Sequence, residues 1–166
     1  VVIPLFNEVE SIRIFYAELV SVLEKMDRPF EIIVVDDGSN DGSFDLLSEI
    51  HQEDPRLRVI RLRRNYGQTS AFAAGFDAAR AEWIVTMDAD GQNDPADIPE
   101  LIAKAEDGFD VVSGWRRNRH DALFTRKIPS YAANWVISRV TGVRLHDNGC
   151  AIKVYHSYVV KNVKLY

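Results

Sequence analysis

Short runs of β-branched and apolar residues alternate along the chain with longer stretches in which apolar positions recur every three or four residues. The short runs are "VVIPL" (1–5), "FEIIVVD" (30–36), "LRVIRL" (57–62), "EWIVTMD" (82–88) and "FDVVSGW" (109–115), each of strand length and composition. Between them the spacing predicts helices over roughly 9–26, 42–53, 68–80 and 96–107. Ile12, Phe15, Tyr16, Leu19, Val20 and Leu23 share one face of the first. Asp94, Pro95 and Asp97 supply the start of the fourth, with proline near the first turn. Such βα alternation predicts an α/β fold, a mainly parallel sheet with helices on both faces. After about residue 116 the pattern changes. A polar, basic stretch, "RRNRHDALFTRK", precedes a predicted helix over roughly 127–141 and a short segment, "CAIKVY".

Composition narrows the class without naming a function. The 166 residues read as a single domain, 1–166, with 46% hydrophobic and 27% charged residues, ordinary for a folded chain. A net charge of −5 argues against general nucleic-acid binding, which needs a basic footprint. The one cysteine, Cys150, excludes an internal disulfide and fits a reducing compartment. No apolar run approaches the ~20 residues that cross a bilayer, and no signal peptide is visible. The sequence opens at Val1 inside a predicted strand and stops at "VKNVKLY" without an ending signal. It reads as a fragment of a longer protein, in which membrane segments can lie elsewhere.

Ligands of open parallel sheets sit beyond the carboxyl ends of the strands, where strand order reverses. Unusual residues fall at those ends here: "PLFNE", "DDGSNDG", "DADGQND" and "SGWRR". Asp88 and Asp90 stand two apart after an apolar strand, so an extended chain puts both carboxylates on one side. Two such charges repel and resist desolvation unless a cation joins them. A divalent Mg²⁺ or Mn²⁺ held by these carboxylates and by substrate phosphate oxygens is one solution. The alternative is a solvated turn with an Asp helix cap. A calcium-binding EF-hand loop fails, because its sixth and twelfth positions hold Asn93 and Pro99. Started at Asp37 the same test finds Gly42 sixth but Ser48 twelfth.

Asp37 is the candidate for contact with a nucleotide base or ribose, whereas Ser39, Asn40 and Asp41 read as a turn into a helix. Asn7 and Glu8 are placed by the expectation that the first and fourth strands are neighbours. In "LRRNYGQTSAFAAGF", Arg64 and Gln68 are either substrate contacts or surface groups, and the alanines with Gly75 and Phe76 read as close helix packing. "WRRNRH" suits an anion, with Arg116 best placed for a diphosphate and Arg117 and Arg119 read as solvated. In "HDNGC", His146 lacks companions for zinc, and Cys150 reads as a small hydrophobe. Asp147 is a candidate substrate contact and Lys153 a candidate phosphate contact.

Taken in order, "VVIPLFNE", "VVDDGSNDGS", "RNYGQTSAFAAGF", "MDADGQNDPADIP", "VVSGWR" and "HDNGCAIKVY" resemble glycosyltransferase family 2 across nearly the whole chain. The resemblance is to its polyprenyl-phosphate glycosyltransferases, the group of the dolichol-phosphate mannose synthases, and most of all to the bacterial undecaprenyl-phosphate sugar transferases. Where many relatives have "DADLQ" this chain has "DADGQ", with Gly91 in place of an apolar residue.

That resemblance implies a GT-A fold and a UDP- or GDP-sugar donor. It implies Pro4, Phe6, Asn7, Glu8 and Asp37 around the nucleotide, Asp88, Asp90 and Gln92 around Mg²⁺ or Mn²⁺, and Arg116 on the phosphates. The implied acceptor is a polyprenyl phosphate at the cytoplasmic face of a membrane, such as the bacterial inner membrane. Such an acceptor is already anionic and can attack with inversion without a general base; Asp147 is the base if the acceptor is a hydroxyl. A nucleotidyltransferase is a rival, although "PLFNEVE" lacks the glycines of a phosphate loop. A non-catalytic nucleotide-binding domain is another.

Overall fold

The computed structural model describes residues 1–115 and 150–162. Its elements are β1 (Val2–Leu5), α1 (Ile12–Glu24), β2 (Ile32–Asp36), α2 (Ser43–Glu53), β3 (Leu57–Arg61) and α3 (Gln68–Ala78). They continue with β4 (Trp83–Thr86), a single 3-10 turn (Pro95–Asp97), α4 (Ile98–Glu106), β5 (Val111–Ser113), β6 (Lys153–His156) and α5 (Ser157–Lys161). The helix predicted over 127–141 lies outside the described residues.

The sheet order is β3-β2-β1-β4-β6-β5. Strands β1 to β4 pair in parallel, with β1 between β2 and β4. Consecutive strands first march one way from β1 to β3, then β4 returns to the other side of β1. The order therefore reverses between β1 and β4, which opens a crevice at their carboxyl ends.

One feature of the sheet does not follow from the alternation of strands and helices. The mainly parallel sheet expected is observed, and β5 keeps the direction of β1 to β4, but the short segment "CAIKVY" supplies β6, which inserts between β4 and β5 and runs antiparallel to both. Close packing supports this arrangement: a Cβ added at Gly114 would stand 2.6 Å from Ile152 Cγ2. A four-residue strand cannot announce its own direction, because direction is set by where the chain re-enters the sheet.

Alternate residues of the central strands feed two cores, one on each face. Ile3, Leu5, Val34 and Val85 meet α1 through Ile12, Phe15, Leu19 and Leu23. Tyr16 and Val20, expected on the same helix face, pack only partly buried against this cluster. Val2, Ile33, Val35 and Ile84 meet α3 through Ala71 and Phe76 on the other face. Helix α3 lies unusually near β1, since a Cβ at Gly75 would overlap the Val2 side chain. The close helix packing expected from "AFAAGF" is observed, and it sets the first turn of α3 against the crevice.

Candidate active site

A cleft of about 230 Å³ lies at the β1/β4 reversal, lined by Pro4, Leu5, Phe6 and Glu8 after β1 and by Asp37 after β2. Asn65, Gly67, Gln68 and Ala71 from the start of α3, and Asp88, Ala89 and Asp90 after β4, complete it. Of the sequence-predicted residues, Pro4, Phe6, Glu8, Asp37, Asp88 and Asp90 are thus brought together.

Each wall has a local cause. Leu5 carbonyl accepts from the Asp37 N–H at 2.8 Å, so β1 and β2 leave the sheet side by side. Asn7 then takes a left-handed backbone conformation, φ 56°. Its N–H donates to Ser39 Oγ at 2.9 Å and its Oδ1 accepts from the Asn40 N–H at 3.0 Å. Asn7 is therefore spent on joining two loops and is not among the residues lining the cleft. Glu8 N–H donates to Ser43 Oγ at 3.0 Å, and Ser43 Oγ donates to Asp41 Oδ1 at 2.6 Å. Ser39 to Asp41 form the turn into α2, as expected.

Asp37 is buried, 4% exposed, with Oδ1 accepting from Tyr66 N–H and Oδ2 from Gly67 N–H, both at 2.8 Å. Its carboxylate thus holds the loop before α3 while facing the cleft. Each oxygen retains a second lone pair for a ligand donor. Neighbouring Asp36 is fully buried; Oδ1 accepts from Ser39 N–H at 2.9 Å, but Oδ2 receives no hydrogen bond. Arg61 Nε lies 3.5 Å from that oxygen, and its guanidinium sits 4.3 Å from the centre of the Phe44 ring. The pair is therefore ionic in contact rather than hydrogen-bonded.

Asp88 is half-buried and Asp90 exposed. Gln68 Nε2 donates to Asp88 Oδ1 at 2.7 Å, and Gln92 N–H donates to Asp90 Oδ1 at 3.0 Å. Gln92 itself lines not this cleft but two neighbouring grooves. Arg64 lies outside the lining, with its guanidinium 4.9 Å from the Tyr66 ring centre. Arg116 and Asp147, with Arg117, Arg119 and His146, lie outside the described residues.

Four carboxylates, Glu8, Asp37, Asp88 and Asp90, face the cleft, and no lysine or arginine is among its described lining residues. This is a poor environment for a diphosphate unless positive charge arrives with it. The donor set suits a hard divalent cation, which takes oxygen ligands and commonly only one or two carboxylates beside substrate phosphates. Among the described residues no group of three or more His, Cys, Asp or Glu side chains could hold an ion unaided. Asp88 and Asp90 fit a metal shared with substrate, not a closed protein cage.

A second cavity of about 340 Å³ shares Gln68 and Asp88 with the first. Phe72, Phe76 and Tyr155 give it an aromatic side, and Lys153 enters it from β6. Phe72 and Phe76 stack at 5.8 Å, and Tyr155 meets Phe76 edge-on at 6.0 Å. Burial raises the Tyr155 hydroxyl above the ordinary tyrosine range. The sequence does not decide the role of Gln68 and does not mark Asp36 or Ser43. Their partners stand across loops, and linear spacing carries no trace of such contacts.

The chain resembles known proteins over nearly its whole length. It is 45% identical to a dodecaprenyl-phosphate galacturonate synthase of Rhizobium johnstonii, covering 99% of this chain and 49% of that protein. It is also 45% identical to an undecaprenyl-phosphate 4-deoxy-4-formamido-L-arabinose transferase of Pectobacterium atrosepticum, at 96% and 49% coverage. The chain therefore spans about half the length of these curated relatives.

Among solved structures, a glucosyl-3-phosphoglycerate synthase from Mycobacterium tuberculosis, in complex with Mn²⁺ and UDP-glucose, superposes with a TM-score of 0.72 at 17% identity. That match covers 98% of this chain and 57% of the other. A mannosyltransferase from Pyrobaculum calidifontis, in complex with GDP-Man and Mn²⁺, gives 0.64 at 18% identity, covering 96% and 44%. At these identities the likeness concerns the fold, and the expected α/β GT-A architecture is borne out. The model for "Glycosyl transferase family 2" matches residues 1–162, and the chain belongs to that family.

Proposed function

We propose that the protein transfers a sugar from a nucleotide-sugar donor to a polyprenyl phosphate, with inversion at the anomeric carbon and with the help of Mg²⁺ or Mn²⁺. The observation that carries this reading is the meeting of Asp88 and Asp90 with Glu8 and Asp37 in a cleft without described cationic lining. The activities named for the two relatives, both on polyprenyl phosphates, support the acceptor class.

In this reading the nucleoside lies toward Phe6 and Asp37, and the diphosphate lies toward Asp88 and Asp90. A divalent cation bound there supplies charge stabilisation for the departing nucleoside diphosphate. Asp88 and Asp90 hold that charge in place, and Arg116 shares the contact with the phosphates. Phe6 covers the donor end, and Asp37 fixes the loop beneath it while offering its remaining lone pairs to the base or ribose. The acceptor phosphate is ionised near neutral pH, so no residue need remove a proton from it; Asp147 is a substrate contact in this reading and would be the base only for a hydroxyl acceptor. Gln92 belongs to the ligand loop through its backbone bond to Asp90. The domain, 1–166, works at the cytoplasmic face of a membrane as part of a longer chain, although no helix among the described residues is long and apolar enough to span one.

The test uses the full-length protein with labelled UDP- and GDP-sugars, polyprenyl phosphate and Mg²⁺ or Mn²⁺. A lipid-linked sugar formed only with metal is the expected product. Glycosylation of a sugar hydroxyl with no lipid-linked product would overturn the acceptor, and pyrophosphate exchange would replace the reading with nucleotidyl transfer.

A further inference from the structure

Gln68 opens α3 and reaches across the cleft to Asp88, twenty residues away in sequence, with a 2.7 Å hydrogen bond. Its place is fixed from below. Asp37 holds the Tyr66 and Gly67 N–H groups at 2.8 Å, and Gly67 carbonyl accepts from Ser70 and Ala71 at 3.0 and 3.2 Å to start the helix. One carboxylate of the cleft thus grips the loop, and the loop in turn grips another carboxylate.

The chemistry of the grip matters. Asp88 is half-buried in a cleft that three other carboxylates line, where like charges favour conformations that hold them apart. A lysine or arginine in Gln68's position would hold Asp88 but neutralise it, competing with a cation for the same charge. A side-chain amide orients the carboxylate through a neutral N–H and adds no positive charge of its own to the site. We infer that Gln68 is a positioning residue for the cation site: it sets the orientation of Asp88 and so tunes metal affinity without touching the reacting atoms. This rests on the proposed reading of Asp88 and Asp90 as cation ligands.

The experiment measures Mn²⁺ binding to the full-length protein by electron paramagnetic resonance, with UDP or GDP present, for wild type, Gln68→Met and Gln68→Ala. Methionine keeps the length of the side chain and removes the donor; alanine suits an exposed helix position and provides a second variant that folds. The expected result is a Kd for Mn²⁺ raised about tenfold in both variants. KM for the donor should rise more than kcat falls, with Tm kept within a few degrees. An affinity within twofold of wild type in a folded variant would overturn the role of Gln68 alone. Failure of the wild type to bind Mn²⁺ with either nucleotide would overturn the reading of the site, and this inference with it.

Discussion

The two ends of the cleft are built on opposite principles. At the β1/β2 end, Asp36, Asp37, Ser39 and Ser43 are all buried; Asp37, Ser39 and Ser43 each take part in a short hydrogen bond to a neighbouring loop, and Asp36 accepts from Ser39 N–H within its own. At the β4 end, Asp90, Gly91, Gln92 and Asp94 are exposed. Two hydrogen bonds there stay within the segment: Gln92 N–H to Asp90 and Ala96 N–H to Asp94. A polar network can be buried when every donor finds an acceptor, and it then fixes one conformation. Paired carboxylates have no such option without a cation, so they remain near water. The first end is organised by the chain itself; at the second, Gln68 holds Asp88 from across the cleft, while the exposed Asp90 is left for a ligand to organise.

The largest effect that tests this contrast is on activity. Asp88→Asn and Asp90→Asn should each lower sugar transfer about a hundred- to a thousandfold, the usual scale for removing a group that stabilises developing charge. Neither should lower Tm appreciably: Asp90 is exposed, and an asparagine at 88 keeps an oxygen that can accept from Gln68 Nε2. Rates with saturating donor, set beside thermal melts, check both halves. A variant that transfers sugar normally, or one that simply unfolds, would erase the distinction.

Next comes a backbone test at the dense end. Gly38 has φ 76°, and a Cβ there would stand 2.5 Å from the Arg64 carbonyl carbon. Gly38→Ala should cost about 3 kcal/mol in urea unfolding, since it adds left-handed strain to an overlap with backbone that cannot swing aside. A loss below 1 kcal/mol would mean that this loop yields as easily as the other. Ser43→Ala is a milder probe of the same network. It strands the Glu8 N–H, while Asp41 loses the hydroxyl but keeps the Ser43 and Val9 N–H donors, and about 1 kcal/mol is expected. Donor KM should rise with it, because Glu8 lines the cleft.

The same contrast explains what could be read from the linear chain. The parallel strands, the helix faces and the acidic pair follow from periodicities of two and three to four, and these depend only on neighbours in sequence. β6 did not follow, because its antiparallel insertion depends on where the chain returns after a long excursion. Asn7 illustrates a second limit. The resemblance assigns it to the nucleotide, and no spacing could show that its Oδ1 accepts from the Asn40 N–H, a partner 33 residues away. Gln68 is the converse, a residue with no distinguishing context until Asp88 appears beside it. Local chemistry marks which residues are costly to keep, whereas cross-loop hydrogen bonds decide which of them stay available.

The smallest expected effect sharpens the comparison most, because it holds backbone strain nearly constant. Gly91 has φ 71°, close to that of Gly38, but an added Cβ meets nothing within 4 Å. Gly91→Ala should therefore cost only the strain, about 1 kcal/mol. Gly91→Leu should cost no more. A longer apolar side chain at 91 can reach the groove in which Ile14, Phe15 and Val22 of α1 face the loop, and the area it covers there offsets part of the strain. Urea unfolding of Gly38→Ala, Gly91→Ala and Gly91→Leu side by side separates conformation from contact. If Gly91→Leu loses as much stability as Gly38→Ala, the loop bearing the acidic pair is as tightly packed as its neighbour, and the open end of the cleft is not open.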